Sequence, residues 1–146
     1  MPDLDLSALQ ERLDAIQYAE SRGERDPYKA IGDKGMKYPA YGAYQMREPA
    51  FQDVRRLRPK TLANYPNVDS ADDIIGNKDL QRALTAAYLN ILMNDYKLGN
   101  LDSATAAYNW GVGNVRKHGI TGKGKAYMDT IQSYHKKPKL LRQLGL

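Results

Sequence analysis

Apolar side chains recur at helical spacing along this chain, in segments separated by stretches rich in glycine and proline. Leu9, Leu13 and Ile16 follow at intervals of four and three, which stacks them on one face of a helix. Asp5 or Ser7 is placed to cap that helix, which is expected to run to about Arg22, with Gly23 ending it. From Gly23 to Tyr41 the sequence reads as loop, with a short hairpin around Asp33-Lys34-Gly35. A second helix is expected over Glu48–Leu57, with Pro49 in its first turn and Pro59 stopping it. Residues 59–76 read as a long connection holding one helical turn near 71–75. The strongest pattern lies over 79–98, where Leu80, Leu84, Ala87, Ile91 and Leu98 form an apolar face and Gly99 closes the helix. A short helix over 104–110, capped by Asp102 or Ser103, is expected to end at Gly111. Gly111, Gly113, Gly119, Gly122 and Gly124 then mark a flexible or tightly turned segment. A last helix is expected over 125–135, packing through Ala126, Tyr127, Met128 and Ile131, and the tail KKPKLLRQLGL reads as a final docked turn. The pattern predicts a mainly α fold with at most a small β-hairpin.

The stripe on the first helix has a fourth member of a different kind. Glu20 follows Ile16 by four residues and so falls on the same face as the three apolar side chains. A carboxyl set against apolar surface resists ionisation, and the negative end of a helix dipole acts in the same direction. Such a group is suited to act as a general acid near neutral pH. The plainer reading is a helix-end carboxylate paired with Arg22 or Arg25.

Composition narrows the classes. A chain of 146 residues with 42% hydrophobic side chains suits a single domain over 1–146. No apolar run approaches the length needed to span a membrane, and stable membrane insertion is not expected. There is no cysteine, which excludes disulfides and thiolate metal sites, and His118 and His135 stand far apart. No metal and no cofactor are expected. The start lacks the basic end and apolar stretch of a secretory signal. A net charge of +5 favours an anionic partner, among them nucleic acid, anionic lipid and bacterial wall polymer. The basic residues are scattered and form no recognised nucleic-acid motif, so nucleic acid is not the expected partner. Eleven tyrosines against one phenylalanine offer ring faces with hydroxyls, which suits carbohydrate.

Three segments occur in a telling order: Glu20-Ser21, then Gly42-Ala43-Tyr44-Gln45-Met46, then Ala107-Tyr108-Asn109-Trp110-Gly111-Val112-Gly113-Asn114-Val115. Together they resemble the lytic transglycosylase catalytic domain of the lysozyme-like superfamily, related to goose-type lysozymes. The Tyr88-Leu89 pair in the long helix and Tyr127 fit the same resemblance, which covers roughly residues 12–135. The chain departs from the family pattern at Ala43, Tyr44, Trp110 and Val112, and its loop before Gly42 lacks a serine usual there.

The resemblance implies a lysozyme-like fold and cleavage of the β-1,4 bond between N-acetylmuramic acid and N-acetylglucosamine in peptidoglycan. Glu20 would serve as acid and then base, closing a 1,6-anhydro ring. Ser21, Tyr44, Gln45, Asn109 and Tyr127 would bind substrate or orient the acid. In a hydrolytic muramidase a second carboxylate, Asp26 or Asp33, would activate water. The bland alternatives are caps for Gln45 and Asn109, core packing for Tyr108, and packing for Trp110. The expected partner is a peptidoglycan strand, and the protein is expected to be a monomer. Without a signal it is expected to be made in a host cytoplasm and to reach the wall as a bacteriophage endolysin, or to be carried in the virion. A bacterial enzyme and a non-catalytic wall-binding module are the other readings.

Overall fold

The computed structural model describes residues 5–145; Met1–Leu4 of the amphipathic start, and Leu146, lie outside the described residues. The described chain is mainly α, 65% helical, with seven helices and one two-stranded antiparallel sheet. The helices are α1 (Leu6–Ser21), α2 (Glu48–Leu57), α3 (Lys78–Asn94), α4 (Leu101–Trp110), α5 (Val112–His118), α6 (Gly122–Lys136) and α7 (Lys139–Gln143). The strands are β1 (Ile31–Gly32) and β2 (Ala40–Tyr41), with Ile31 opposite Tyr41. Single 3-10 turns occur at Pro27–Lys29, Pro59–Leu62 and Ala71–Ile74.

Local chemistry explains most boundaries. Asp5 caps α1 by accepting from the Ser7 amide at 2.9 Å. Pro49 stands in the first turn of α2, where its missing N–H costs no helical bond. Four boundaries differ from the sequence expectation. Helix α3 ends at Asn94, not at Leu98. Lys97 adopts φ +61°, and the amides of Leu98 and Gly99 turn back to the carbonyls of Leu92 and Met93 at 3.2 and 3.1 Å. Leu98 still packs on the core, but from beyond the helix. Helix α4 begins at Leu101 because the cap is Asn100, which accepts from the Ser103 amide at 2.8 Å. The glycine-rich stretch is not a loop: Gly111 and Gly119, both at positive φ, punctuate it, and α5 lies between them. Helix α6 starts at Gly122, three residues early.

Two apolar clusters hold these elements. One joins Leu13 and Ile16 of α1, Leu89 and Leu92 of α3, Ala106 of α4 and Ile131 of α6. The other joins Phe51 and Val54 of α2, Ile74, and Leu80, Leu84 and Ile91 of α3. Tyr88 and Tyr96 pack against both clusters. Each fully buried large side chain contributes about 1.5–3 kcal/mol by leaving water.

A polar network crosses the α1–α4–α6 junction. Arg12, almost buried, donates to Thr105 Oγ1 at 2.8 Å, to Asp102 Oδ1 at 2.9 Å and to His135 Nε2 at 3.2 Å. Asp102 is therefore an ion-pair partner and not the cap of α4. Burial and the Arg12 charge hold the His135 imidazole below its ordinary pKa, so it stays neutral and accepts.

Candidate active site

Helix α1 ends on the residue that its apolar stripe singles out. Leu13 and Ile16 are 1% and 0% exposed, and Glu20, one turn further, stands half-buried at the helix end. Its Oε2 accepts a hydrogen bond at 3.1 Å from the Tyr127 hydroxyl of α6. Neither Arg22 nor Arg25 ion-pairs with it. Burial pushes the Glu20 carboxyl up to about 7. The Tyr127 hydrogen bond and the Arg47 charge oppose that rise, and the Asp33 charge adds to it. Tyr127 itself lies deep, and burial together with the charge on Glu20 keeps its phenol protonated.

The other members of the expected set divide. Ser21 is engaged internally: its hydroxyl donates to the carbonyls of Gln17 at 3.0 Å and Ala43 at 2.8 Å, and the residue is 3% exposed. It pins the end of α1 to the segment after β2. Tyr44 is 1% exposed and belongs to the core. Its hydroxyl accepts from Arg82 at 3.1 Å, and burial raises its phenol to about 12. Ser21 and Tyr44, both expected to meet substrate, are thus buried, with their hydroxyls engaged by internal partners.

Gln45 and Asn109 share a groove of about 260 Å³, whose lining also includes Met46, Arg47, Tyr88 and Trp110. Asn109 is exposed, and its amide takes part in no hydrogen bond among the described residues. Gln45 holds φ +52°, a left-handed conformation unusual outside glycine, and its amide donates to the Gly42 carbonyl at 2.9 Å. Strain of this kind gathers where side chains must be aimed. Glu20 is not part of the groove lining; two of the lining residues, Tyr108 and Arg47, lie within reach of its charge. The Glu20 charge helps raise the Tyr108 phenol, and Arg47 helps lower the Glu20 carboxyl. Tyr108 donates to the Tyr44 carbonyl at 2.6 Å and meets Tyr88 edge-on at 5.9 Å.

Trp110 lines the groove at one edge and packs at another. Its ring lies against Gly124, where a Cβ would come within 2.8 Å of Trp110 Cε3. Of the two carboxylates considered as assistants, Asp33 is the one whose charge reaches Glu20, and it is held by an ion pair to Arg47. Asp26 pairs with Lys29 at 3.9 Å instead.

The chain matches no family model, no curated protein and no solved structure.

Two residues that organise the site escaped sequence reasoning. Arg47 bonds Asp33 and the Tyr38 carbonyl, which ties α2 to the hairpin beside Glu20. Gln81, 2% exposed, accepts from the Ala43 amide at 2.9 Å and donates to the carbonyls of Tyr28 at 2.8 Å and Ile74 at 2.9 Å. Gly42, at φ +82°, leaves room for it: a Cβ there would fall 2.4 Å from Gln81 Oε1. A polar residue on the apolar face of α3 was the available signal for Gln81. Among the described residues no group of three or more His, Cys, Asp or Glu stands together as a metal site, and no helix is long and apolar enough to cross a membrane.

Proposed function

We propose that this protein cleaves the β-1,4 bond between N-acetylmuramic acid and N-acetylglucosamine in peptidoglycan, as a lytic transglycosylase of lysozyme-like fold. The observation that carries the reading is a half-buried carboxyl raised to about 7 and held by a tyrosine, within charge reach of Arg47 in the wall of a groove that Gln45 and Asn109 line. At that pKa a large share of Glu20 is protonated at neutral pH and is acidic enough to give the proton up.

Tyr127 occupies Oε2, which leaves Oε1 to donate to the leaving glycosidic oxygen. As the C1–O bond breaks, the Tyr127 hydroxyl stabilises the carboxylate that forms. The same carboxylate then takes the proton of the muramyl C6 hydroxyl, whose oxygen attacks C1 and closes the 1,6-anhydro ring. The proton count balances, and Glu20 returns to its starting state. Gln45 and Asn109 would hold sugar amide and hydroxyl groups in the groove. No step calls on a metal or a cofactor. The partner is the glycan strand, met by a monomer that acts at the wall as a phage endolysin or from the virion.

Glu20→Gln is expected to lower lysis of wall suspensions at least a thousandfold with an unchanged circular dichroism spectrum, since the amide keeps the shape and loses the acidic proton. Near-normal lysis by this variant would remove the proposal. Mass spectrometry of wild-type digests is expected to show anhydro-muramyl ends. A hydrolytic muramidase is the second reading, favoured by the reach of the Asp33 charge to Glu20. It predicts reducing ends, lost in Asp33→Asn. Tight glycan binding with no cleavage of any kind is the outcome for a non-catalytic wall-binding module.

A further inference from the structure

A second cleft, of about 320 Å³, lies between the C-terminal half of α1 and the end of the chain. Its walls include Asp14, Tyr18, Arg22, Glu24, Tyr134 and Arg142, and it shares no lining residue with the groove of Gln45 and Asn109. The rings of Tyr18 and Tyr134 stand 5.1 Å apart. The Arg22 guanidinium lies over Tyr18 at 4.8 Å, and that of Arg142 over Tyr134 at 5.5 Å. Neither arginine ion-pairs with a carboxylate among the described residues. The Arg142 Nε is buried and has no hydrogen-bond partner among the described residues. A neighbouring hollow of about 410 Å³ shares Asp14, Tyr134 and Arg142 with the cleft, so Arg142 borders both spaces.

The lining carries both signs of charge. Asp14 is engaged by Arg82 at 2.9 Å, which leaves Arg22, Arg142 and Glu24 to meet a ligand. A guanidinium fork fits a carboxylate with two parallel hydrogen bonds. A polyanion would meet the carboxylates of Asp14 and Glu24, and a neutral sugar would accept hydrogen bonds from the two guanidiniums without compensating their charge. A ligand that bears a carboxylate close to an ammonium group satisfies the whole lining. On a peptidoglycan strand those groups belong to the stem peptides. The geometry points to this cleft as a binding site for the stem peptide of the wall polymer, through Arg142 and Arg22 on its carboxylates and Glu24 on its ammonium. The peptide's identity rests on the wall-cleaving reading above. The site does not use Glu20.

The test separates the two. The tripeptide L-alanyl-γ-D-glutamyl-L-lysine is titrated into the Glu20→Gln protein and followed by NMR. Saturable shifts confined to the end of α1 and to α7 are expected, at least tenfold weaker in Arg142→Ala and in Arg22→Ala, and intermediate in Arg142→Lys. On wild-type background, Arg142→Ala is expected to raise KM several-fold for peptide-bearing strands and to leave peptide-free glycan turnover unchanged. Absence of saturable binding, binding unaltered by either alanine variant, or the same shifts from acetate alone would overturn the site. Peptide binding together with undiminished lysis by Glu20→Gln would leave this site standing and sink the proposed catalyst.

Discussion

Glu20 carries two opposed influences, and their balance sets its chemistry. Withdrawal from water raises its pKa, while the Tyr127 hydroxyl and the Arg47 charge pull it down. Tyr127→Phe removes one of the lowering contacts. The alkaline limb of the pH–activity profile is then expected to move up by about one unit. The rate constant is expected to fall on the order of tenfold, because the carboxylate formed on proton donation loses its donor. A pH profile of kcat checks both. An unshifted limb would mean that the Glu20–Tyr127 hydrogen bond is not made by the working protein. Arg47, at the start of α2, and its ion-pair partner Asp33 act on the same carboxyl with opposite sign, through charge.

At the level of elements, the site depends on how the segment from Gly42 to Met46 is held. Ser21 fixes it from α1, and Gln81 fixes it from α3. The isolated pairing of Tyr41 with Met46 closes the turn that puts Gln45 at positive φ. Gln81→Ala strips partners from the Ala43 amide and from the Tyr28 and Ile74 carbonyls together. It is expected to destabilise the protein by about 2–4 kcal/mol, since the buried Ala43 amide is left without an acceptor while the two carbonyls keep only their bonds from the Gly76 and Asn77 amides. Urea denaturation measures this. A loss below about 1 kcal/mol would show that other donors or water replace the amide. The same contacts tie the 3-10 turns at Pro27–Lys29 and Ala71–Ile74 to α3, so the Gln81 side chain adds to the backbone bonds that order the long connection.

For the molecule as a whole, a raised carboxyl pKa is a statement about stability. The folded protein holds the Glu20 proton up to about 7, while an unfolded chain releases it near 4.5. Between those values the folded state binds more protons, so stability falls as pH rises through the window. The full loss, reached above pH 7, is about 3 kcal/mol at most. Glu20→Gln is therefore expected to be more stable than wild type at pH 8 and equal to it at pH 4. Thermal melts at the two pH values test the sign. Equal melting at both would mean that Glu20 ionises without hindrance.

The sequence by itself determined the helices, because burial of an apolar face imposes its period on the chain. It also determined that a carboxyl at position 20 shares the face of Leu13 and Ile16. The hairpin near Asp33 was legible for the same kind of reason: turn residues act locally. Glycine was less legible. Five glycines within fourteen residues read as a turn, yet a helix forms between Gly111 and Gly119, packed against α4 with Val115 in the core. Tertiary structure alone decided which polar groups face the groove. Ser21 and Tyr44 sit within the matching motifs, but their hydroxyls meet partners that the chain brings from Ala43 and from Arg82. Arg47, Gln81 and the Arg22–Arg142 cleft have no local signature. Charge and hydrogen bonding act across space between residues far apart in the chain, and no period in the sequence records that distance.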